Sequence, residues 1–455
     1  MQTKNTSREA RSSSAHRRLI AINARVPLRA FYPRQILLFN LNKCIIICRL
    51  RSAGVTRVER ENNKFKFFYF IRYFADAFFY PFSSLYFLSK LGSNSDSELG
   101  LLLAITPILT IVVNPIWTYF VKDMKVSRII LQIMTVVEGI LIFSITQVST
   151  LEAYAIIIGL IAVLCSPYIS IQDGFTATFA NHNKLEYSGI RIWASISYVV
   201  ATLIGGYLGV YVGYDVLFLC AGILFALTAF IAIWIKPLEK PSSNTVKPKR
   251  DIKELLRNVE FYKYLVFYTL VIGSVRIGDS FFGIYLTDKF AITSIDYGWL
   301  YAAFVTVEVV VMRLIMTKAT QASDKLLFIV AGGMFVFRFL IYTLEPSLPV
   351  IYAVTLLRGA AWGIILVAHI KFLIKIVRVE NVTPAILIVT LLFSIYTGVG
   401  NFVSGMFVEK YGYPNLYLVN MILIFTGLLV FIIFTPRIRT SVAGEENQQT
   451  YAESK

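Results

Sequence analysis

The chain has 455 residues, of which 56% are hydrophobic, 15% aromatic and only 16% charged, where an average soluble domain carries about 25% charged residues. That balance excludes a soluble globular enzyme and a disordered chain, and it calls for an all-α membrane protein that crosses the bilayer many times. The formal charge of +17 does not indicate nucleic-acid binding, because thirteen Lys and Arg against Glu9 and Glu59 sit in the first 60 residues and the other cations fall in alternate loops.

Residues 1–63 are Arg- and Ser-rich and read as a basic disordered tail, or as sequence upstream of a later true start; the apolar run Ile36 to Cys48 is too short and too interrupted to span. Windows of about 20 apolar residues then predict twelve spans, near 67–90, 98–121, 129–148, 153–178, 190–212, 214–235, 262–286, 298–317, 326–344, 350–376, 384–408 and 415–434. Lys122, Lys125, Arg128, Lys184, Lys236 to Arg257, Lys318, Lys325, Lys371, Lys375, Arg378, Arg437 and Arg439 occupy one set of loops, while the other set reads SNSDSE, STLEA, DKFAITSID and EPSLP. By the positive-inside rule both termini are cytoplasmic, and we expect a plasma-membrane protein acting as a monomer. Cys165 and Cys220 lie in apolar spans and Cys44 and Cys48 have no partner pair, so no disulfide framework, metal site or cofactor is implied.

The spans divide into an amino-terminal half, 64–235, and a carboxy-terminal half, 261–436, joined by a Pro-, Ser- and charge-rich linker at 236–260 and followed by a tail at 437–455. The halves repeat. The first span of each carries Asp76-Ala-Phe-Phe or Asp279-Ser-Phe-Phe; the fifth ends with Gly206 to Gly213 and Tyr214, or with Gly405 to Gly412 and Tyr413. Six spans repeated in parallel is the arrangement of transporters whose site lies at the midplane between two six-helix halves.

Ionisable residues inside spans are expensive, about 2.5–3.5 kcal/mol each at a helix centre, so they must pair or line a polar cavity. They include Asp76, Glu138, Asp173, Arg191, Arg276, Asp279, Glu308, Arg338, Arg358 and His369. Asp173 and Arg191 lie roughly nine residues either side of a short polar turn, so antiparallel helices carry both to one depth, about 13 Å from the turn. They form either a static bridge or a solute site. Tyr198, two helical turns after Arg191 on the same face, could stack on an apolar sugar face. Arg276 and Asp279, three apart, could pair locally. Glu138 has no partner nearby in sequence and reads as a packing or interface residue, and His369 as a hydrogen-bonded structural one.

The run Tyr187-Ser188-Gly189-Ile190-Arg191-Ile192-Trp193-Ala194-Ser195-Ile196-Ser197 resembles the motif Y-G-(R/K)-x-R-x-W-G-S-x-G of the lactose-permease-like branch of the major facilitator superfamily, and the similarity extends from about Phe65 to Pro436. The resemblance implies a proton-coupled importer of oligosaccharides or related solutes, with relatives that carry nucleosides or aromatic acids. It implies sugar binding by Asp173 and Arg191, stacking by Tyr198, and coupling by Glu308 and Arg338. The family's loop motif between the second and third spans survives only as Asp123 and Arg128, a charge pair that would lock the inward gate. The tenth-span His and Glu of the sugar symporters fall on Arg358 and Ala361, so the proton must bind elsewhere or the coupling differs; Asp76, Glu308 and Asp279 are the candidate coupling acids, with Asp76 preferred. The competing reading is proton-coupled efflux of drug-like compounds, but no proline lies between Arg191 and Val212, where the antiporter motif would need one. No catalytic constellation appears, so an enzyme is not expected.

Overall fold

The computed structural model describes residues 57–91, 96–120, 124–235, 252–318 and 323–435; the basic tail to residue 56, most of the linker, Asp123 and the residues after 435 lie outside the described segments. Every regular element described is helical. The first half comprises α1 (Arg57–Leu91), α2 (Asp96–Phe120), α3 (Met124–Ile145), α4 (Leu151–Cys165), α5 (Tyr168–His182), α6 (Tyr187–Tyr211) and α7 (Tyr214–Trp234). After a short α8 (Ile252–Arg257), the second half comprises α9 (Val259–Phe267), a π-helical turn (Tyr268–Ile272), α10 (Gly273–Ser280), α11 (Phe282–Phe290), α12 (Ser294–Lys318), α13 (Asp324–Thr343), α14 (Leu348–Ile376), α15 (Val379–Tyr411) and α16 (Tyr413–Phe434).

Ten of these segments are long and apolar enough to cross a membrane, and the bent run Val259–Phe290 makes an eleventh. Helix α1 is the twelfth. Its length suffices, but Arg72, Asp76 and its tyrosines dilute its apolar character. Helices α4 and α5 form one span broken at Pro167, which lacks the N–H an unbroken helix would need there. The second half's first span is broken as well, by the π turn and by a 40° bend at Phe281. The carboxy-terminal part of the expected linker is helix α8, tied to the second half by an ion pair from Glu254 to Arg378 (3.0 Å).

The internal repeat is visible in the turns. Gly213 and Gly412 have φ of +95° and +78°, values that side-chain-bearing residues rarely adopt, and each leads directly into a helix that opens with tyrosine, α7 or α16. Across the halves α2 packs on α15 and α6 on α12. Both contacts are closest at one end of the bundle, called here the far end because the chain reaches it first at the end of α1. Cβ atoms added at Gly405 and Gly206 would lie 2.5 Å from the Asp96 carbonyl oxygen and 2.6 Å from that of Ser294. Tyr413 donates to Asp96 Oδ1 (2.6 Å), and Tyr214 shares a short hydrogen bond with Ser294 Oγ. These are equivalent latches: Tyr214 follows Gly206 by eight residues as Tyr413 follows Gly405, and Gly298 follows Ser294 by four as Gly100 follows Asp96.

Within the second half, α12 and α14 cross at Gly359 and Gly363, where added Cβ atoms would meet the carbonyl oxygens of Phe304 at 2.0 Å and Glu308 at 2.5 Å. This crossing holds Glu308 beside Arg358. Gly359→Val is expected to destabilise the purified protein by about 1–3 kcal/mol through overpacking, seen as a lower thermal midpoint; an unchanged midpoint would show that the helices can separate freely.

Candidate functional site

The α5–α6 hairpin brings Asp173 and Arg191 together. Its turn ends α5 cleanly: Lys184 adopts φ of 54°, Leu185 N–H donates to the Ala180 carbonyl (2.8 Å), and Asn183 Nδ2 donates to that of Phe179 (2.9 Å). Arg191 Nη1 then reaches Asp173 Oδ1 at 2.8 Å and Oδ2 at 2.9 Å. Tyr69 of α1 donates to Asp173 Oδ1 (2.8 Å), while the hydroxyls of Tyr73 and Tyr187 lie 3.3 and 3.4 Å from Arg191 Nη1. The pair is not sealed: the Arg191 side chain keeps 42% of its exposure and that of Asp173 31%. A charge pair collared by tyrosine hydroxyls and open to solvent can exchange its internal bonds for those of a polyhydroxylated solute at modest net cost.

Deeper in the first half, Arg72 lies between two carboxylates, with Nη2 3.1 Å from Asp76 Oδ1 and Nη1 3.0 Å from Glu138 Oε2. Its guanidinium is packed between the rings of Tyr168 (4.0 Å) and Phe225 (4.4 Å), and Tyr80 donates to Glu138 Oε1 (2.9 Å). All three charged residues are at least 97% buried. Glu138 is therefore not a packing residue; its partner Arg72 comes from α1, far away in sequence.

The second half holds the opposite arrangement, one carboxylate between two guanidiniums. Asp279 Oδ1 accepts from Arg338 Nη2 (2.5 Å) and Oδ2 from Arg358 Nε (2.7 Å). Arg338 is completely buried, donates through Nε to the Tyr342 hydroxyl (3.1 Å) and lies over the rings of Phe339 and Tyr342. Asp279 thus pairs with α13 and α14, and not with Arg276 one turn away, whose side chain is exposed.

Between the halves, Tyr198 of α6 faces Tyr301 of α12 with ring centroids 5.7 Å apart. Arg358 lies over Phe304 at 3.9 Å and within 5.8 Å of the Tyr301 ring. Glu308, one turn further along α12, is within electrostatic reach of Arg358 in its own half and Arg191 in the other. Tyr198, Tyr301, Phe304 and Arg358 thus form one run of contacts across the α6–α12 boundary between the halves. Arg128 donates to the Ile235 carbonyl at the end of α7 (3.1 Å), and Asp123, its expected gate partner, lies outside the described residues. His369 shares a short hydrogen bond with Tyr264 and stacks near Tyr268. Among the described residues no cluster of His, Cys, Asp and Glu could hold a metal ion.

A family model described as the MFS_1 like family matches residues 63–419. The chain belongs to that family. It is a multi-pass membrane transporter of the major facilitator type, not an enzyme, and it handles a small-molecule solute. The uncharacterized transporter YwbF of Bacillus subtilis (strain 168) is 23% identical over 376 residues, covering 82% of this chain and 91% of the relative. The maltose permease of Geobacillus stearothermophilus is 23% identical over 395 residues, covering 84% and 96%. Among solved structures, the nucleoside transporter NupG superposes with a TM-score of 0.68 at 14% identity, covering 83% of this chain and all of that one. A bacterial homologue of the human lysosomal transporter Spinster, inward-facing and occupied, superposes with a TM-score of 0.64 at 14% identity, covering 84% and 98%. These two likenesses share the twelve-helix fold.

Two features of the transporter carry little signal in the sequence. Arg72 stands in a run of aromatic residues, although its four-residue spacing from Asp76 is a helical pairing signal. The cross-half partner of Tyr198 had no local signal at all, since Tyr301 lies about a hundred residues away on α12.

Proposed function

We propose that this transporter carries a sugar, oligosaccharide or glycoside inward together with a proton, as a monomer in the plasma membrane with both termini in the cytoplasm. The observation that carries the reading is the Asp173–Arg191 pair, solvent-accessible yet held by three tyrosine hydroxyls. A sugar offers vicinal hydroxyls that can accept from the guanidinium and donate to the carboxylate, with the Tyr198 ring available for its apolar face. With the termini in the cytoplasm, the far end is extracellular; it is the closed end, and the pair then faces inward. Asp123 and Arg128 would lock that inward side when the halves rock the other way. The aromatic surface of Tyr198 and Tyr301 favours a second solute class, nucleosides, whose planar base could stack against it.

The test is uptake of radiolabelled maltose and uridine by cells lacking their own carriers for these solutes. Uptake of one of them, abolished by a protonophore, is expected. Asp173→Asn and Arg191→Gln should each weaken it about tenfold or more, the loss of a charge-assisted hydrogen bond of about 1.5–3 kcal/mol. Undiminished uptake in either variant would remove the pair from the solute site.

A further inference from the structure

Arg276 is a cation without a role in the site described so far. It stands deep in the second half's first span: at 1.5 Å per residue, more than about 20 Å of helix separates it from Val259 and from Phe290. A guanidinium at that depth cannot snorkel to either surface, and facing hydrocarbon is costly. Its side chain is nevertheless exposed, so it must open on water. The packing of α10 shows where. Gly273 and Ile277 lie against Tyr396 and Gly400 of α15, Gly278 against Phe339 of α13, and Asp279 faces α13 and α14. Arg276 and Ser280, four apart on one face, occupy the sector those contacts leave. That sector looks toward the other half, because Arg276 is within electrostatic reach of Tyr198 on α6.

No carboxylate meets it there. Arg72, Arg191, Arg338 and Arg358 each have a carboxylate within 3.1 Å. Around Arg276, Ser280 Oγ donates to the backbone carbonyl (3.0 Å), but the guanidinium has no ion-pair partner among the described residues. Asp279, three residues on, is held by two other guanidiniums, and Glu308 is within reach of Arg358 and Arg191. We infer that the solute of this transporter carries an anionic group and that Arg276 binds it. The inference deepens the sugar reading and rests on it. Asp173 and Arg191 take ring hydroxyls, the Tyr198 ring takes an apolar face, and Arg276, across from Tyr198 in the other half, takes a carboxylate or phosphate. The solute class is an acidic sugar or glycoside. A guanidinium presents a donor fork that matches either group. Arg191 and Arg358 cannot do the same without giving up the carboxylates they already hold, whereas Arg276 exchanges only water.

The test is calorimetric binding of three probes to the detergent-purified protein: 4-nitrophenyl glucoside, the matching glucuronide and the matching glucoside 6-phosphate. They differ only at the sixth carbon, so the two acids separate a carboxylate site from a phosphate site. At least one acid should bind about tenfold or more tightly than the neutral glucoside, the worth of a charge-assisted hydrogen bond. Arg276→Gln should erase that preference while leaving the neutral glucoside's affinity and the thermal midpoint unchanged, and Arg276→Lys should keep part of it, as charge without the fork. Acids that bind no more tightly than the glucoside, a preference that survives Arg276→Gln, or an equal loss of all three probes in that variant overturns the inference. The sugar reading fails differently. Glucoside binding that Asp173→Asn abolishes, with no preference for either acid, keeps the sugar site and defeats the anion site. An acid preference that depends on Arg276 but is untouched by Asp173→Asn and Arg191→Gln keeps the anion site and defeats the sugar site. Binding of none of the three defeats both.

Discussion

Asp279→Ala should be among the most damaging single substitutions in the membrane region, with a loss of about 3–5 kcal/mol or failure to accumulate in the membrane. The reason is what it leaves behind. Arg338 has no exposure and Arg358 retains about a tenth of its side-chain exposure, so both guanidiniums lose their carboxylate with no water to replace it, and breaking a buried pair from one side costs far more than the pair contributes. The companion variant tests this directly. In Asp279→Ala/Arg338→Met the fully buried cation is gone, the methionine can fill the space among Phe282, Phe339 and Tyr342, and Arg358 still has Glu308 within electrostatic reach. Most of the lost stability should return, read as the thermal midpoint of detergent-purified protein, while transport stays impaired. A single variant as stable as the parent would mean that the trio is not closed to solvent.

The number and type of the helices were legible because apolar windows of span length and alternating loop charge are local properties of the chain. The repeat was legible for the same reason, since Gly206 to Tyr214 and Gly405 to Tyr413 are short patterns. Helix breaks were less so. Pro167 is an obvious breaker, but the π turn at Tyr268–Ile272, which packs against α15 and α16, has neither glycine nor proline within it. Charge partners were legible only where the chain itself brought them close, as in the α5–α6 hairpin. Arg276 and Asp279 carry the local spacing of a pair, yet Asp279 turns to α13 and α14, because two guanidiniums in a dry interior need its oxygens more than an exposed one does. Sequence distance hid Glu138's partner in the same way. The solute-contacting roles expected of Asp173, Arg191 and Tyr198 came from their spacing and from a resemblance; the structure adds the tyrosine hydroxyls about the ion pair and the Tyr198–Tyr301 contact.

Gly206→Leu combined with Gly405→Leu should hold the far end open and abolish net transport, with little loss of stability. Both glycines face the opposite half: an added Cβ on Gly405 meets Asp96, Ser97 and Gly100 of α2, and one on Gly206 meets Ser294 and Ile295 of α12. At 2.5–2.6 Å from backbone oxygens those atoms cannot be absorbed by a side-chain rotation, so the halves must part there, taking the Tyr413–Asp96 and Tyr214–Ser294 hydrogen bonds with them. Separation there is a movement of one half against the other, the kind of motion that alternating access requires. The measurement is labelling of a cysteine placed at Tyr198, with Cys44, Cys48, Cys165 and Cys220 replaced, by a membrane-impermeant maleimide applied from the far side. Labelling should be slow when the latches are intact and fast in the double-leucine variant. Because the latches are related by the repeat, one leucine should give an intermediate rate from either position. Equal and unchanged rates would mean that the far end is not the gate.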